Sequence, residues 1–294
     1  MKILITGSAG FIGSSLKDFL EKKRIGVIPY DLKDTPSNDV RDISNLKLKM
    51  KDVDGVVHLA AVSRVKIAHD NPLECINTNI GGTINVLEVS RSLKESPWVI
   101  FASSREVFGE LDEFPATEKS LRKAINVYGV AKIAGEDLCK VFSRNYGLKT
   151  RVLRFSNVYT GKKDQLDRVT PKFLLQALKN EDLVINGTGQ ELFDFTHIGD
   201  TVEGIWGCIQ EIEKSQEMFN DFTLSTGIPV SLKELAEVII EETGSKSKIK
   251  YAQSRTYDVN NFYADPKKAK EILGFDPKVS LREGIRLVLE EFKG

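Results

Sequence analysis

Two rhythms of apolar and polar positions alternate along the first half of the chain. Lys2 to Thr6 is a short unbroken apolar run, the pattern of a strand buried on both faces. Phe11 to Lys23 then follows a helical period, and Gly26 to Tyr30 is a second strand. Val53 to Ala61 contains a third around Val56-Val57-His58-Leu59. Pro72 to Leu93 predicts a long helix and Trp98 to Ser103 the next strand. Asn126 to Tyr146 reads as another long helix, and Thr150 to Phe155 as a further strand. Strands separated by helices of this length predict β-α-β units and a parallel sheet. Past residue 160 the rhythm loosens. Pro171 to Asn180 has a helical period, and Leu183 to Ile185 and Phe222 to Ser225 are short strands. Ser231 with Glu234, and Ser280 with Glu283, form capping boxes. Asp265-Pro266 opens a short helix that Gly274 ends. This tail reads as an appended lobe, which beside the carboxyl edge of a parallel sheet closes a cleft over it.

Composition narrows the class. The 294 residues are 41% hydrophobic and 29% charged, ordinary usage for a chain with a sizeable core. Basic and acidic residues balance at 42 each, which argues against a surface built for nucleic acid or anionic lipid. Cys75, Cys139 and Cys208 are widely spaced with no C-x-x-C, and His58, His69 and His197 are scattered, so neither disulfide framework nor metal is expected. The chain reaches Gly7 without a signal-peptide pattern, and no apolar run approaches the ~20 residues of a membrane span. A cytoplasmic protein is expected.

Gly7-Ser8-Ala9-Gly10-Phe11-Ile12-Gly13 follows a strand and opens a helix. Its G-x-x-G-x-x-G spacing departs from G-x-G-x-x-G, but the physics is shared: a turn that side chains would block, a close approach to a pyrophosphate, and a helix N-terminus that attracts phosphate. Asp31 ends the second strand, where a carboxylate can bind ribose hydroxyls and repel a 2′-phosphate, which favours NAD over NADP. Asp42-Ile43 can frame an adenine, or lie in a solvated loop. Tyr128 and Lys132 are four apart on a predicted helix and share one face. A tyrosine base near neutrality needs its pKa lowered by about three units from ~10. A neighbouring ammonium and a positive nicotinamide push that way. Ser103-Ser104 lies at the carboxyl end of a strand, where active sites of parallel sheets assemble.

In this order the motifs are those of a known family. The chain resembles the extended short-chain dehydrogenase/reductase superfamily, in particular its nucleotide-sugar epimerase/dehydratase branch. The likeness runs through residues 5–13, His58-Leu59-Ala60-Ala61, residues 79–88, residues 103–109, the Tyr128/Lys132 helix and residues 154–159. It continues through residues 194–200, Arg255 and Ala264-Asp265. It implies an α/β fold: a Rossmann-type doubly wound parallel sheet with a smaller mixed α/β C-terminal substrate lobe. The expected division is residues 1–160 with 192–221 for the NAD-binding domain, and 161–191 with 222–294 for the lobe. By the resemblance Ser104, Tyr128 and Lys132 form the catalytic trio. Gly7, Gly10, Phe11, Ile12 and Gly13 cradle NAD, with Asp31, Asp42 and Ile43 on its adenosine half. Leu59, Ala60, Ala61, Asn79 and Ser103 line its other side, with Tyr128 and Lys132 at the nicotinamide end. Asn157 and Arg255 meet the substrate diphosphate, and Val169 to Phe173 lies over its base.

Two positions depart from the family pattern. Most relatives carry an arginine just before the Asp-Phe/Tyr pair, where this chain has Phe193. Arg64, Lys66 and Arg168 are the candidates to replace it. Second, dehydratases of this branch follow the serine or threonine with an acid and then a glutamate, whereas here the order is Ser104-Arg105-Glu106. Arginine cannot protonate a leaving hydroxyl, so the paired-acid mechanism is disfavoured. Glu106 is either a catalytic base or an ion-pair partner of Arg105. The leading expectation is NAD-dependent 4-epimerisation of a nucleoside-diphosphate sugar. A dehydratase or decarboxylase using Glu106, a dehydrogenase acting on a small substrate, and a non-catalytic NAD-binding scaffold are the alternatives. The two long helices are expected to pair in a homodimer, as is common in the superfamily.

Overall fold

The computed structural model describes residues 1–293. The chain runs β1 (Lys2–Thr6), α1 (Phe11–Lys22), β2 (Gly26–Tyr30), α2 (Ile43–Lys49), β3 (Gly55–His58), α3 (Val65–Asp70), α4 (Pro72–Ile76), α5 (Gly82–Ser92), β4 (Trp98–Ser104), α6 (Val127–Tyr146) and β5 (Thr150–Phe155). It continues through β6 (Asn157–Tyr159), α7 (Val169–Leu178), β7 (Leu183–Asn186), β8 (Leu192–His197), α8 (Ile198–Lys214), β9 (Phe219–Leu224), β10 (Pro229–Ser231), α9 (Leu232–Thr243), β11 (Ile249–Ala252), α10 (Lys267–Leu273) and α11 (Leu281–Lys293).

Six strands form one parallel sheet in the order β2-β1-β3-β4-β5-β9. Successive side chains of a strand point to opposite faces. Ile3, Ile5, Val57, Ile100 and Leu153 therefore pack on one face with Leu16 and Leu20 of α1 and Ile205 and Ile209 of α8. Leu4, Val56, Val99, Phe101 and Val152 pack on the other with Leu46 of α2, Val86 and Leu87 of α5, and Cys139 and Phe142 of α6. This is the doubly wound layering expected. The strand order reverses at β1, because β2 lies on one side of it and β3 on the other. A crevice therefore opens at the carboxyl ends of β1 and β3.

The second body has its own core, in which Phe173, Leu174, Ile185, Phe193, Leu235, Ile239, Ile285 and Val288 are buried. Two small sheets, β10-β8-β6 and β11-β7, carry it. The expected boundaries need correcting here. β9 pairs with β5 from Thr150↔Phe219 to Phe155↔Leu224, so residues 222–225 belong to the main sheet and not to the lobe. Ala269 and Leu273 of α10 pack on the main core. Conversely β8, expected to rejoin the nucleotide-binding domain, lies in the lobe's sheet. The chain crosses between the bodies several times, and apolar periodicity does not say which body a short element joins.

The run from Pro72 to Ser92 is helical throughout, as expected, but Asn77–Gly81 forms a π turn between α4 and α5. The Ser231 cap receives the Glu234 N–H at 3.0 Å, and the Ser280 cap that of Glu283 at 3.3 Å. Among the described residues no helix is long and apolar enough to cross a membrane, and no group of acidic, histidine and cysteine side chains is placed to hold a metal ion.

Candidate active site

The glycine-rich turn joins β1 to α1 at the crevice. Gly7 has φ +71°, and a Cβ there would stand 2.7 Å from the Ala60 backbone nitrogen. At Gly13 it would stand 2.2 Å from the Gly7 carbonyl oxygen, so the first turn of α1 lies directly on the loop. No side chain fits at either position, and the N-terminus of this 12-residue helix faces the crevice without a side-chain cap. That is a cradle of the shape and polarity a dinucleotide pyrophosphate needs. Asp31 stands beside it. One carboxylate oxygen accepts the Ala9 N–H at 3.0 Å and the other that of Lys33 at 2.9 Å. Asp42 is not in a loop: it caps α2, accepting from Ser44 and Asn45.

The walls after β1 and β3 are fixed by a directed chain of hydrogen bonds. Thr6 Oγ1 accepts the Ala60 N–H at 3.2 Å and lies 2.7 Å from His58 Nδ1. His58 Nε2 lies 3.1 Å from Thr83 Oγ1, whose proton goes to the Asn79 carbonyl. Thr83 must therefore accept from Nε2–H, and Thr6 must donate to Nδ1. That arrangement requires a neutral ring, and burial, with the nearby Lys132 charge, pushes the His58 pKa down to about 3. Asn79 projects from the π turn, accepting the Val62 N–H at 2.8 Å and donating to its carbonyl at 3.1 Å. Its amide thus holds the segment that follows Leu59-Ala60-Ala61, where a direct cofactor contact was expected.

Ser104 ends β4, and Tyr128 and Lys132 lie on α6, whose start is fixed by Asn126 capping the Gly129 N–H at 2.8 Å. The Lys132 ammonium donates to the Ala102 carbonyl at 2.7 Å and stands 5.6 Å from the Tyr128 ring centre. Burial lowers the Lys132 pKa to about 8. Burial also raises that of Tyr128 well above the ordinary phenol, while the Ser104 hydroxyl pulls it the other way. The direction is opposite to the one expected for a tyrosine base. In this protein the phenol is held protonated by its dry surroundings.

Ser104, Tyr128, Asn157, Val169, Phe173 and Arg255 all line one cleft of about 340 Å³, together with Phe11 and Ile12 of the glycine-rich segment. Ser103 also borders it, but its hydroxyl donates to Glu136. Glu106 is 5% exposed and has both oxygens engaged. One is 3.0 Å from Arg105 Nη2, and the other accepts from Asn126 Nδ2 at 2.8 Å. Arg105 also donates from Nε to Asn157 Oδ1 at 2.6 Å and lies over the Phe193 ring, 4.9 Å from its centre. Of the expected replacements for an arginine at 193, Arg64 is bound to both oxygens of Asp167 at 2.8 Å, and Lys66 to Asp70 at 2.6 Å. Arg168 is 3.4 Å from Asp164 and covers the Phe11 ring at 5.0 Å.

Sequence reading missed what supports the trio. Glu136, one turn beyond Lys132, accepts from Ser103 and from Arg154 at 2.9 and 2.7 Å. Arg154 also pairs with Asp221 of β9 at 2.9 Å. Nothing local in the sequence marks these partners.

The family model described as GDP-mannose 4,6 dehydratase matches residues 4–288. A putative UDP-glucose 4-epimerase of Methanocaldococcus jannaschii is 33% identical, covering 99% of this chain and 98% of that protein. The crystal structure of UDP-glucose 4-epimerase with UDP-glucose from Thermotoga maritima superposes with a TM-score of 0.91 at 32% identity, over 100% of this chain and 99% of that one. That of UDP-glucuronic acid 4-epimerase from Bacillus cereus, in complex with UDP-glucuronic acid and NAD, gives 0.89 at 25% identity, with coverage of 100% and 99%.

Proposed function

We infer the activity from a premise of kinship: the chain belongs to the GDP-mannose 4,6-dehydratase family, whose members are NAD-dependent nucleotide-sugar epimerases, dehydratases and decarboxylases of the extended short-chain dehydrogenase/reductase superfamily. Within it we propose 4-epimerisation of a nucleoside-diphosphate sugar, with UDP-glucose the first substrate to test. The observation that carries this choice is the pairing of a complete Ser104–Tyr128–Lys132 set with a Glu106 whose two oxygens are both occupied. A dehydratase or decarboxylase needs a further group free to act beyond carbon 4. Here the nearest candidate is tied to Arg105 and Asn126.

Gly7, Gly10, Gly13 and the α1 N-terminus would hold NAD, with Asp31 on its ribose and Phe11 and Ile12 along its length. When bound, NAD supplies the hydride acceptor and returns the same hydride to the opposite face of a 4-keto sugar, so net redox is zero. Tyr128 takes the proton of the 4-hydroxyl, with Ser104 bridging the two oxygens. Burial raises the phenol and lowers the ammonium, so each disfavours its charged form alone. Forming the phenolate beside a protonated Lys132 lets each charge stabilise the other. Ser104→Ala combined with Tyr128→Phe should abolish interconversion, read by proton NMR of the product, while bound NAD persists. Turnover in that double variant would reject the assignment. We also infer a homodimer: Leu73, Ile76 and Ile84 on the α4–α5 run, and Val130 and Val141 on α6, are exposed apolar side chains on the helices expected to pair.

A further inference from the structure

We propose that Arg105 is the oxyanion clamp of the substrate site, doing from β4 what an arginine at position 193 would do. The proposal rests on the nucleotide-sugar reading above. In sequence, Arg105 and Phe193 are two unrelated oddities. In space they are one feature, because the Arg105 guanidinium lies flat over the Phe193 ring, 4.9 Å from its centre. The cation therefore occupies the layer directly above the residue that lacks one.

Three walls hold it. Phe193 supplies an aromatic face, Asn157 Oδ1 accepts from Nε at 2.6 Å, and Glu106 Oε1 is 3.0 Å from Nη2. The remaining amine, Nη1, is buried and has no acceptor within the protein. A buried guanidinium N–H without a partner is costly, and a donor kept in that condition inside a ligand cleft has a ligand as its natural acceptor. Arg105 lines the cleft beside Ser104 and Asn157. The other cations there are committed elsewhere: Arg64 to Asp167 and Lys66 to Asp70. Fixing a planar fork on three sides in advance also removes the entropy that a free arginine would lose on binding. The acceptor is an oxyanion of the substrate next to the sugar. The phosphate that bears the sugar is one source, and a carboxylate on the sugar itself is the other.

The test measures binding to the NAD-loaded protein by calorimetry, with UDP-glucose, UDP-glucuronic acid and UMP as probes. Arg105→Ala should weaken the clamped ligand on the order of ten- to a hundred-fold, the loss of one charge-assisted contact, and leave UMP unchanged. Equal losses for the two sugars place the clamp on the phosphate, and adding Phe193→Arg should then restore most of the affinity. A loss confined to UDP-glucuronic acid places it on the carboxylate. Arg105→Lys, which keeps the charge without the fork, and Phe193→Leu, which removes the platform, should fall between wild type and Arg105→Ala. These two serve if the alanine variant does not fold. Wild-type binding with every Arg105 variant unchanged overturns the clamp alone. A wild type that binds none of the diphosphates overturns the functional reading, and the clamp with it.

Discussion

Replacing Glu136 by glutamine preserves shape and removes one buried charge, and its effect can be worked from the structure. The Glu136 carboxylate is 2% exposed and the Arg154 residue 4%. The pair is bidentate, at 2.9 and 2.7 Å. Glutamine keeps one acceptor for Arg154 Nε but turns an N–H₂ toward either Nη2 or Ser103, so one contact becomes donor against donor. Breaking a buried ion pair from one side costs roughly 3–5 kcal/mol, because the other charge stays buried. Asp221, 2.9 Å from Arg154, still answers part of that charge and sets the expectation at the low end, about 3 kcal/mol. In a chain of this size that is a fall in Tm on the order of 5–10 °C. Melting should be followed without added NAD or nucleotide, since ligands bound only to the native state mask the loss. Replacing the pair together, Glu136→Leu with Arg154→Met, should cost less than Glu136→Gln alone, because no orphan charge remains. A shift under 2 °C in the single variant, or a double variant less stable than the single, would refute the argument that the buried charge dominates.

His58 gives a pH prediction. An unfolded histidine takes a proton near pH 6.5, whereas the native ring refuses it until about 3. The unfolded state binds the extra proton within that window, so stability is complete above about 6.5 and falls as pH drops toward 3, by roughly 4–5 kcal/mol in all. His58→Gln should flatten this limb of Tm against pH between 4 and 7, whatever its effect on absolute stability; an unchanged slope would mean that other groups carry it. Glu106→Gln should leave 4-epimerisation within a few-fold of wild type. A loss of a hundred-fold or more, with water or carbon dioxide released by the wild type, would restore Glu106 as a catalytic base. Sedimentation should find a dimer that Leu73→Arg with Val130→Arg converts to monomer; a wild-type monomer contradicts the proposed pairing.

The main sheet was legible because β1, β3, β4 and β5 are buried on both faces and show as unbroken apolar runs. β9 was read in the wrong body because its sequence, Phe-Asn-Asp-Phe-Thr-Leu, is half polar, as an edge strand can be. What ties it to the sheet is partly Asp221 meeting Arg154, a contact between residues far apart in sequence. The glycine-rich turn and the Tyr128/Lys132 pair were visible because their chemistry depends on local spacing. Asn79 was named for the right region and the wrong contact, since the π turn that aims it leaves no mark in the apolar period. Arg105 could be read only as a charge next to Glu106. Its platform, Phe193, is a tertiary neighbour.

The π turn at Asn77–Gly81 is one residue more than a regular helix would hold. Deleting a single residue there would let the α4–α5 run close into an unbroken α-helix with a tighter backbone ladder. The same deletion would turn everything on one side of it by about 100°, the angle one residue subtends in a helix. Asn79 would leave the Val62 backbone, and Thr83 would leave His58. The most regular version of this helix is thus one that unfastens the two walls of the crevice. A variant chosen only for helix stability would move toward that version, and a design that idealises the backbone would erase the irregularity first.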